Sequence, residues 1–249
     1  MLELQDHGPV RELRLASPPV NALNGALVQR LNQELAAAAQ QGVRALVLSG
    51  QPGLFSAGLD VREVTSSPPE VLRRFINDFF RLQERLARSP IPIVAAITGH
   101  CPAGGTVLAL YCDHRVMARG AFRIGLNEVQ VGLYPGYTIF RAFERLVGKS
   151  RTAALLPRGA MLDPEGALAA GLVDELVAPE AAVSRAVELA TELVALPPRA
   201  YARTRALVRS DLVRLFDEPE EDVSAVFGAD WITGEARQHL AAILARSRA

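Results

Sequence analysis

Three short strand-like stretches, at 43–48, 91–98 and 113–118, recur along the first half of the chain, with helical patterns between them. Each run is too short for a typical helix and is bounded by glycine, proline or polar residues, so it reads as a buried strand. Asn24 caps a helix carrying Leu27, Leu31 and Leu35 on one face, and Gly42 stops it. A second helix is expected over about 69–88 and a short apolar one over 104–111. Alternation of this kind calls for parallel strands joined by crossover helices, so the first constraint is an α/β core. An alternating stretch at 10–15, ended by Pro18-Pro19, adds a further strand. The second half reads as mainly helical, over 136–146, 150–156, 164–169, 181–195, 198–213 and 233–246. A short edge strand at 173–177 and breaks at Pro197-Pro198 and Glu218-Pro219 complete the pattern.

The bulk numbers exclude several classes. Hydrophobic residues make up 49% and charged residues 22% of 249, the balance of a soluble globular protein. Lys+Arg and Asp+Glu stand at 27 each, so no net field favours nucleic acid or an anionic membrane. The start of the chain is acidic and lacks a basic region followed by an apolar run. Apolar stretches end well short of spanning length. Cys101 and Cys112 suggest neither a disulfide framework nor a metal site. The expectation is a cytoplasmic protein with no metal, no nucleic-acid partner and no membrane segment.

Three segments stand out chemically. The first, Leu54-Phe55-Ser56-Ala57-Gly58-Leu59-Asp60, has small residues that let a ligand approach the backbone. The second, Gly99-His100-Cys101-Pro102-Ala103-Gly104-Gly105, follows a buried strand and opens an apolar helix, whose first N–H groups suit a developing oxyanion. It lacks the Gly-Lys-Ser/Thr of a phosphate-binding loop. The third, Ile124-Gly125-Leu126-Asn127-Glu128, sets one carboxylate in apolar, glycine-rich surroundings. Burial would raise its pKa and make it a better proton acceptor. Taken singly, each segment is equally a plain loop, a close packing contact or a surface glutamate.

In this order and spacing they resemble the enoyl-CoA hydratase/isomerase (crotonase) superfamily, over nearly the whole chain. The resemblance implies a spiral of ββα turns over 1–195, and a helical trimerisation region over 196–249 that packs as a homotrimer or dimer of trimers. It also implies an acyl-CoA thioester as substrate, with no further cofactor. The thioester oxygen is then expected between the N–H groups of Ala57 and Gly104, with Gly105 an alternative to Gly104. Ser56, Gly58, Leu59, Asp60 and Gly105 are expected along the ligand, and Glu128 as the base. Hydratases of the family carry a second glutamate three residues beyond the oxyanion glycine, where this chain has Val107. Phe-Ser-Ala-Gly-Leu-Asp, Cys-Pro-Ala-Gly-Gly and Ile-Gly-Leu-Asn-Glu-Val-Gln look like the Δ3,Δ2-enoyl-CoA isomerase branch. In that pattern Cys101 is a packing residue.

Rival readings are a hydratase or another thioester-enolate enzyme, and a non-catalytic acyl-CoA- or RNA-binding member. A serine hydrolase built on Ser56, His100 and Asp60 lacks the Gly-x-Ser-x-Gly elbow. Asp113-His114-Arg115 reads as exposed strand-start chemistry. Phe75, Phe79 and Phe80 read as helix-face core or as lining for an acyl tail, and Trp231 is open.

Overall fold

The computed structural model describes residues 1–217 together with 236, 238–240 and 242. Strands β1 (Leu2–His7) and β2 (Val10–Leu15) form an antiparallel hairpin ahead of helix α1 (Gly25–Ala37). The Asn24 side chain accepts from the Leu27 N–H at 2.8 Å, and Gly42, at φ 82°, ends the short 3-10 turn that follows α1.

Three ββα turns come next. The first is β3 (Ala45–Ser49), β4 (Gly53–Leu54), then α2 (Val61–Ser66) and α3 (Pro69–Arg88). The second is β5 (Ile93–Ile97), β6 (Gly99–Pro102) and α4 (Gly104–Leu110). The third is β7 (His114–Ala118), β8 (Ile124–Gly125) and α5 (Tyr137–Val147). Helices α6 (Lys149–Leu155) and α7 (Pro164–Ala170), strand β9 (Glu175–Val177) and helices α8 (Ala182–Ala195), α9 (Pro198–Val208) and α10 (Ser210–Arg214) follow. One sheet has the order β1-β2-β3-β5-β7-β9, parallel from β2 onward; a second has the order β4-β6-β8. This is the expected spiral, with each turn adding one strand to each sheet.

Strand side chains alternate between faces, so each strand of the large sheet feeds two cores. Leu46, Leu48, Ile93, Ala95 and Ile97 join the main core with Leu27 and Leu31 of α1 and Leu72, Phe75 and Leu82 of α3. Ala45, Val47, Val94 and Ala96 face Ala186 and Ala190 of α8. Burial on both faces explains why these strands read as continuous apolar runs.

Beyond the short strands of the small sheet, which the sequence reading left as loops, the structure departs from it in four places. β1 escaped notice because its residues are mostly exposed, and α2 because it spans less than two turns. The expected helix over 198–213 breaks at Arg209, whose guanidinium is drawn inward to the carbonyls of Leu86, Ala87 and Tyr111. Asp113 is not an exposed group: its buried carboxylate pairs with Arg205 at 2.7 Å and Arg209 at 3.2 Å, clasping α9 and the start of α10 to the core. The break at Glu218-Pro219, Trp231 and most of the expected 233–246 helix lie outside the described residues. Among the described residues no helix is long and apolar enough to cross a membrane.

Candidate active site

The three segments singled out by sequence leave the small sheet on the same side. Ala57 and Leu59 follow β4, Pro102, Ala103 and Gly104 stand where β6 turns into α4, and Asn127 and Glu128 follow β8. All seven line one cavity of about 280 Å³, whose remaining wall is largely apolar and includes Val107, Val131, Leu133 and Ile139. Ala103 makes the turn with φ 46°, a backbone setting uncommon outside glycine.

Glu128 opens a short 3-10 turn and is 8% exposed. Among the described residues its Oε2 has no hydrogen-bond partner. Burial disfavours the anion and outweighs the opposing donation from the residue's own backbone N–H, pushing the carboxyl up to about 7. Glu128, Leu133, Tyr134 and Pro135 also border a second cavity of about 580 Å³, so the carboxylate stands in a wall between two spaces.

The oxyanion expectation for Ala57 fails on one hydrogen bond: its N–H donates to the Val20 carbonyl at 3.0 Å. Two residues on, the Leu59 N–H meets no acceptor among the described residues, and neither does that of Gly104. These two N–H groups belong to backbones in close approach. A Cβ built on Gly104 would lie 3.1 Å from Gly58 Cα and 3.2 Å from the Leu59 nitrogen. Gly58 itself has φ 88° and leaves no room beyond hydrogen toward the Gly104 nitrogen. Within the glycine pair, Gly104 lines the cavity, whereas Gly105 packs against the Ser56 carbonyl, 2.8 Å from where its Cβ would be.

Two of the residues expected along the ligand serve the scaffold with their side chains. Ser56 is wholly buried; its hydroxyl donates to the Asn21 carbonyl at 2.7 Å and accepts from the Gly58 N–H at 3.1 Å. Asp60 caps α2, accepting from the N–H groups of Arg62 and Glu63. Asn21, which sequence reading passed over, is fully buried at φ 50°, and its amide donates to the Phe55 carbonyl at 3.2 Å. An asparagine two residues after a proline pair was the available signal, since asparagine tolerates that conformation. The Asn21–Ser56 lock holds the strip from 54 to 58 in place.

Val107 is buried and supplies an apolar wall. Phe79 lines the cavity and also belongs with Phe75 to the core, and Phe80 packs partly buried against it. Burial pushes the Cys101 thiol far above its usual range and that of Cys112 up to about 12, which leaves both unreactive.

Comparison with family models matches residues 6–221 to enoyl-CoA hydratase/isomerase. The chain is 33% identical over 218 residues to the Homo sapiens protein named enoyl-CoA delta isomerase 1, mitochondrial, covering 86% of this chain and 72% of that one. The crystal structure of human mitochondrial delta3-delta2-enoyl-CoA isomerase superposes with a TM-score of 0.92 at 30% identity, over 99% of this chain and 98% of that one. That of an enoyl-CoA hydratase from Mycobacterium ulcerans Agy99 does so at 0.84 and 30%, over 91% and 99%. A family match over most of the chain, with the same fold in both named activities, has one meaning: the chain belongs to the enoyl-CoA hydratase/isomerase family.

Proposed function

We propose that this protein is a Δ3,Δ2-enoyl-CoA isomerase, moving the double bond of a 3-enoyl-CoA into conjugation with the thioester. The observation that carries the reading is Glu128, a buried carboxylate and the single one lining the cavity among the described residues, with Val107 as an apolar wall. Hydration in this family employs two carboxylates to hold and activate one water. With valine in the second place, that water loses a partner. A 1,3-proton shift needs only one carboxylate.

In this reading Glu128, ionised, removes a proton from C2 of the substrate. The C2–H electron pair passes into the thioester, forming an enolate. Its oxygen is held by the N–H groups of Leu59 and Gly104, which meet no acceptor among the described residues. The electrons then return through C2–C3, and Glu128, now a carboxylic acid, delivers the same proton to C4. The 2-trans-enoyl-CoA product forms with the base regenerated. A carboxyl that titrates near neutrality is suited to both halves of this task. Dry walls slow exchange of the carried proton with solvent, so that delivery to C4 outruns it.

The test is direct. Purified protein is mixed with 3-cis- or 3-trans-enoyl-CoA and formation of the conjugated 2-trans product is followed, in parallel with Glu128→Gln. Loss of the base should cost on the order of a hundredfold or more. A Gln variant that isomerises like the parent sinks the role given to Glu128. The hydratase named among the similar structures makes 2-trans-enoyl-CoA the second substrate to try. Rapid water addition would favour hydration over double-bond migration.

A further inference from the structure

Thr106 lies in the first turn of α4, is wholly buried and does not line the cavity. The proton shift makes no use of it. Its hydroxyl nevertheless joins two of the three site segments. Oγ1 donates to the Cys101 carbonyl at 2.5 Å and accepts from the Gly125 N–H at 3.0 Å.

The surrounding strand pairing gives this contact its meaning. Cys101 stands opposite Ile124 in the parallel pair β6–β8. The Cys101 N–H donates to the Arg123 carbonyl at 2.8 Å, and the Ala103 N–H to the Gly125 carbonyl at 2.9 Å. Between those two bonds, a regular parallel ladder has a return bond from the Gly125 N–H to the Cys101 carbonyl. Here the Thr106 hydroxyl braces that rung from the side, accepting from the same Gly125 N–H and donating to the same Cys101 carbonyl. One side chain of α4 therefore ties the strand that leads to Glu128 to the turn that presents Gly104.

We propose that Thr106 is a positioning residue that sets the distance between the Gly104 N–H and the Glu128 carboxylate. The proposal rests on the isomerase reading above. That spacing matters most in the second half of the reaction, when the carboxyl group must reach C4 while the enolate oxygen stays on its donors. Thr106→Val keeps the volume and removes the hydroxyl. The Gly125 N–H and Cys101 carbonyl then face a methyl group in place of the hydroxyl, and the strand that leads to the base loses its brace and shifts. Removal of a C2 proton tolerates the shift better than its delivery to C4.

The experiment uses the full chain with 3-hexenoyl-CoA in D2O. Product formation, deuterium uptake at C2 of unreacted substrate and the thermal midpoint are measured for the parent, Thr106→Val and Thr106→Ser. Thr106→Val is expected to lower kcat by about tenfold or more with KM changed little, since misplacement by a fraction of an ångström acts on the chemical step. It should also raise the ratio of deuterium uptake to double-bond migration, and Thr106→Ser should restore both. Thr106→Ala carries the same expectation if the valine variant does not fold. A folded hydroxyl-free variant with the parent's kcat and ratio overturns the proposal. So does a lowered kcat with an unchanged ratio that serine fails to rescue, which is the mark of general destabilisation. A parent that neither exchanges nor isomerises defeats the isomerase reading, and the positioning role falls with it. An active parent matched by Thr106→Val defeats the positioning role alone.

Discussion

Glu128→Gln should make the protein more stable as it makes it inactive, and the gain should depend on pH in a defined way. The parent carboxyl is held near 7 in the folded chain by burial, against 4.5 for the free group. From pH 4.5 to 7 the unfolded chain has released this proton and the folded chain retains it. Stability therefore falls as pH rises through that window, by about 1.4 kcal/mol per unit while the difference lasts. By pH 8 the ionised carboxylate costs the fold about 3 kcal/mol relative to its protonated form. Glutamine occupies the same volume and cannot ionise. The variant should match the parent near pH 4.5, gain on it to pH 7 and hold a constant lead above. For a chain of this size that lead amounts to roughly 6–12 °C in thermal midpoint. Urea or thermal unfolding of both proteins between pH 4.5 and 8.5 measures it. In the parent, kcat/KM should rise with pH through about 7 and then level, because the ionised form is the base. A stability difference that does not vary with pH would mean that Glu128 ionises in its ordinary range, and the dry-site account of its reactivity would be wrong.

Val107→Glu places a second carboxyl in the wall of the same cavity. It should lower isomerisation at neutral pH by about tenfold, because like charges raise each other's pKa, and bring measurable hydration of 2-trans-enoyl-CoA. Unchanged isomerisation with no hydration would contradict the role given to the apolar wall. Gly104→Ala pushes its Cβ to 3.1 Å from Gly58 Cα, parting the two N–H donors. A loss in kcat on the order of a hundredfold is expected in steady-state assays. Asp113→Asn leaves the buried Arg205 and Arg209 without their carboxylate, at a cost of about 3–5 kcal/mol in denaturant unfolding. An unchanged midpoint would show that the clasp contributes nothing.

The large sheet was legible because its central strands are buried on both faces and stay apolar without interruption, as at Ala45–Ser49 and Ile93–Ile97. The small sheet was not. Gly53–Leu54 and Ile124–Gly125 are two residues long and have no periodicity to read, so the segments with the chemistry passed for loops. Glu128 and Gly104 could be picked out by residue type and by neighbours in the chain. The second donor could not. Successive N–H groups along the 55–59 strip point in different directions, and the one that stays free is decided by the Val20 carbonyl, which takes the Ala57 N–H. That contact joins residues more than thirty positions apart. Thr106 escaped for a similar reason, since a threonine in an apolar helix reads as filler until Gly125 is seen beside it.

The order β4-β6-β8 in the small sheet repeats the order β3-β5-β7 in the large one, so each turn of the spiral contributes one part of the site. The first turn delivers Leu59, the second Gly104 together with Val107, and the third Glu128. The site is thus assembled like cards in a rack, one slot per turn, with strand pairing between slots setting the alignment. A change confined to one card leaves the others seated. Exchanging glutamate for valine on the middle card alters the chemistry there without moving the donors on its edge or the base on the next. In the proposed reading, the reaction of this chain is thus set by the one side chain at 107.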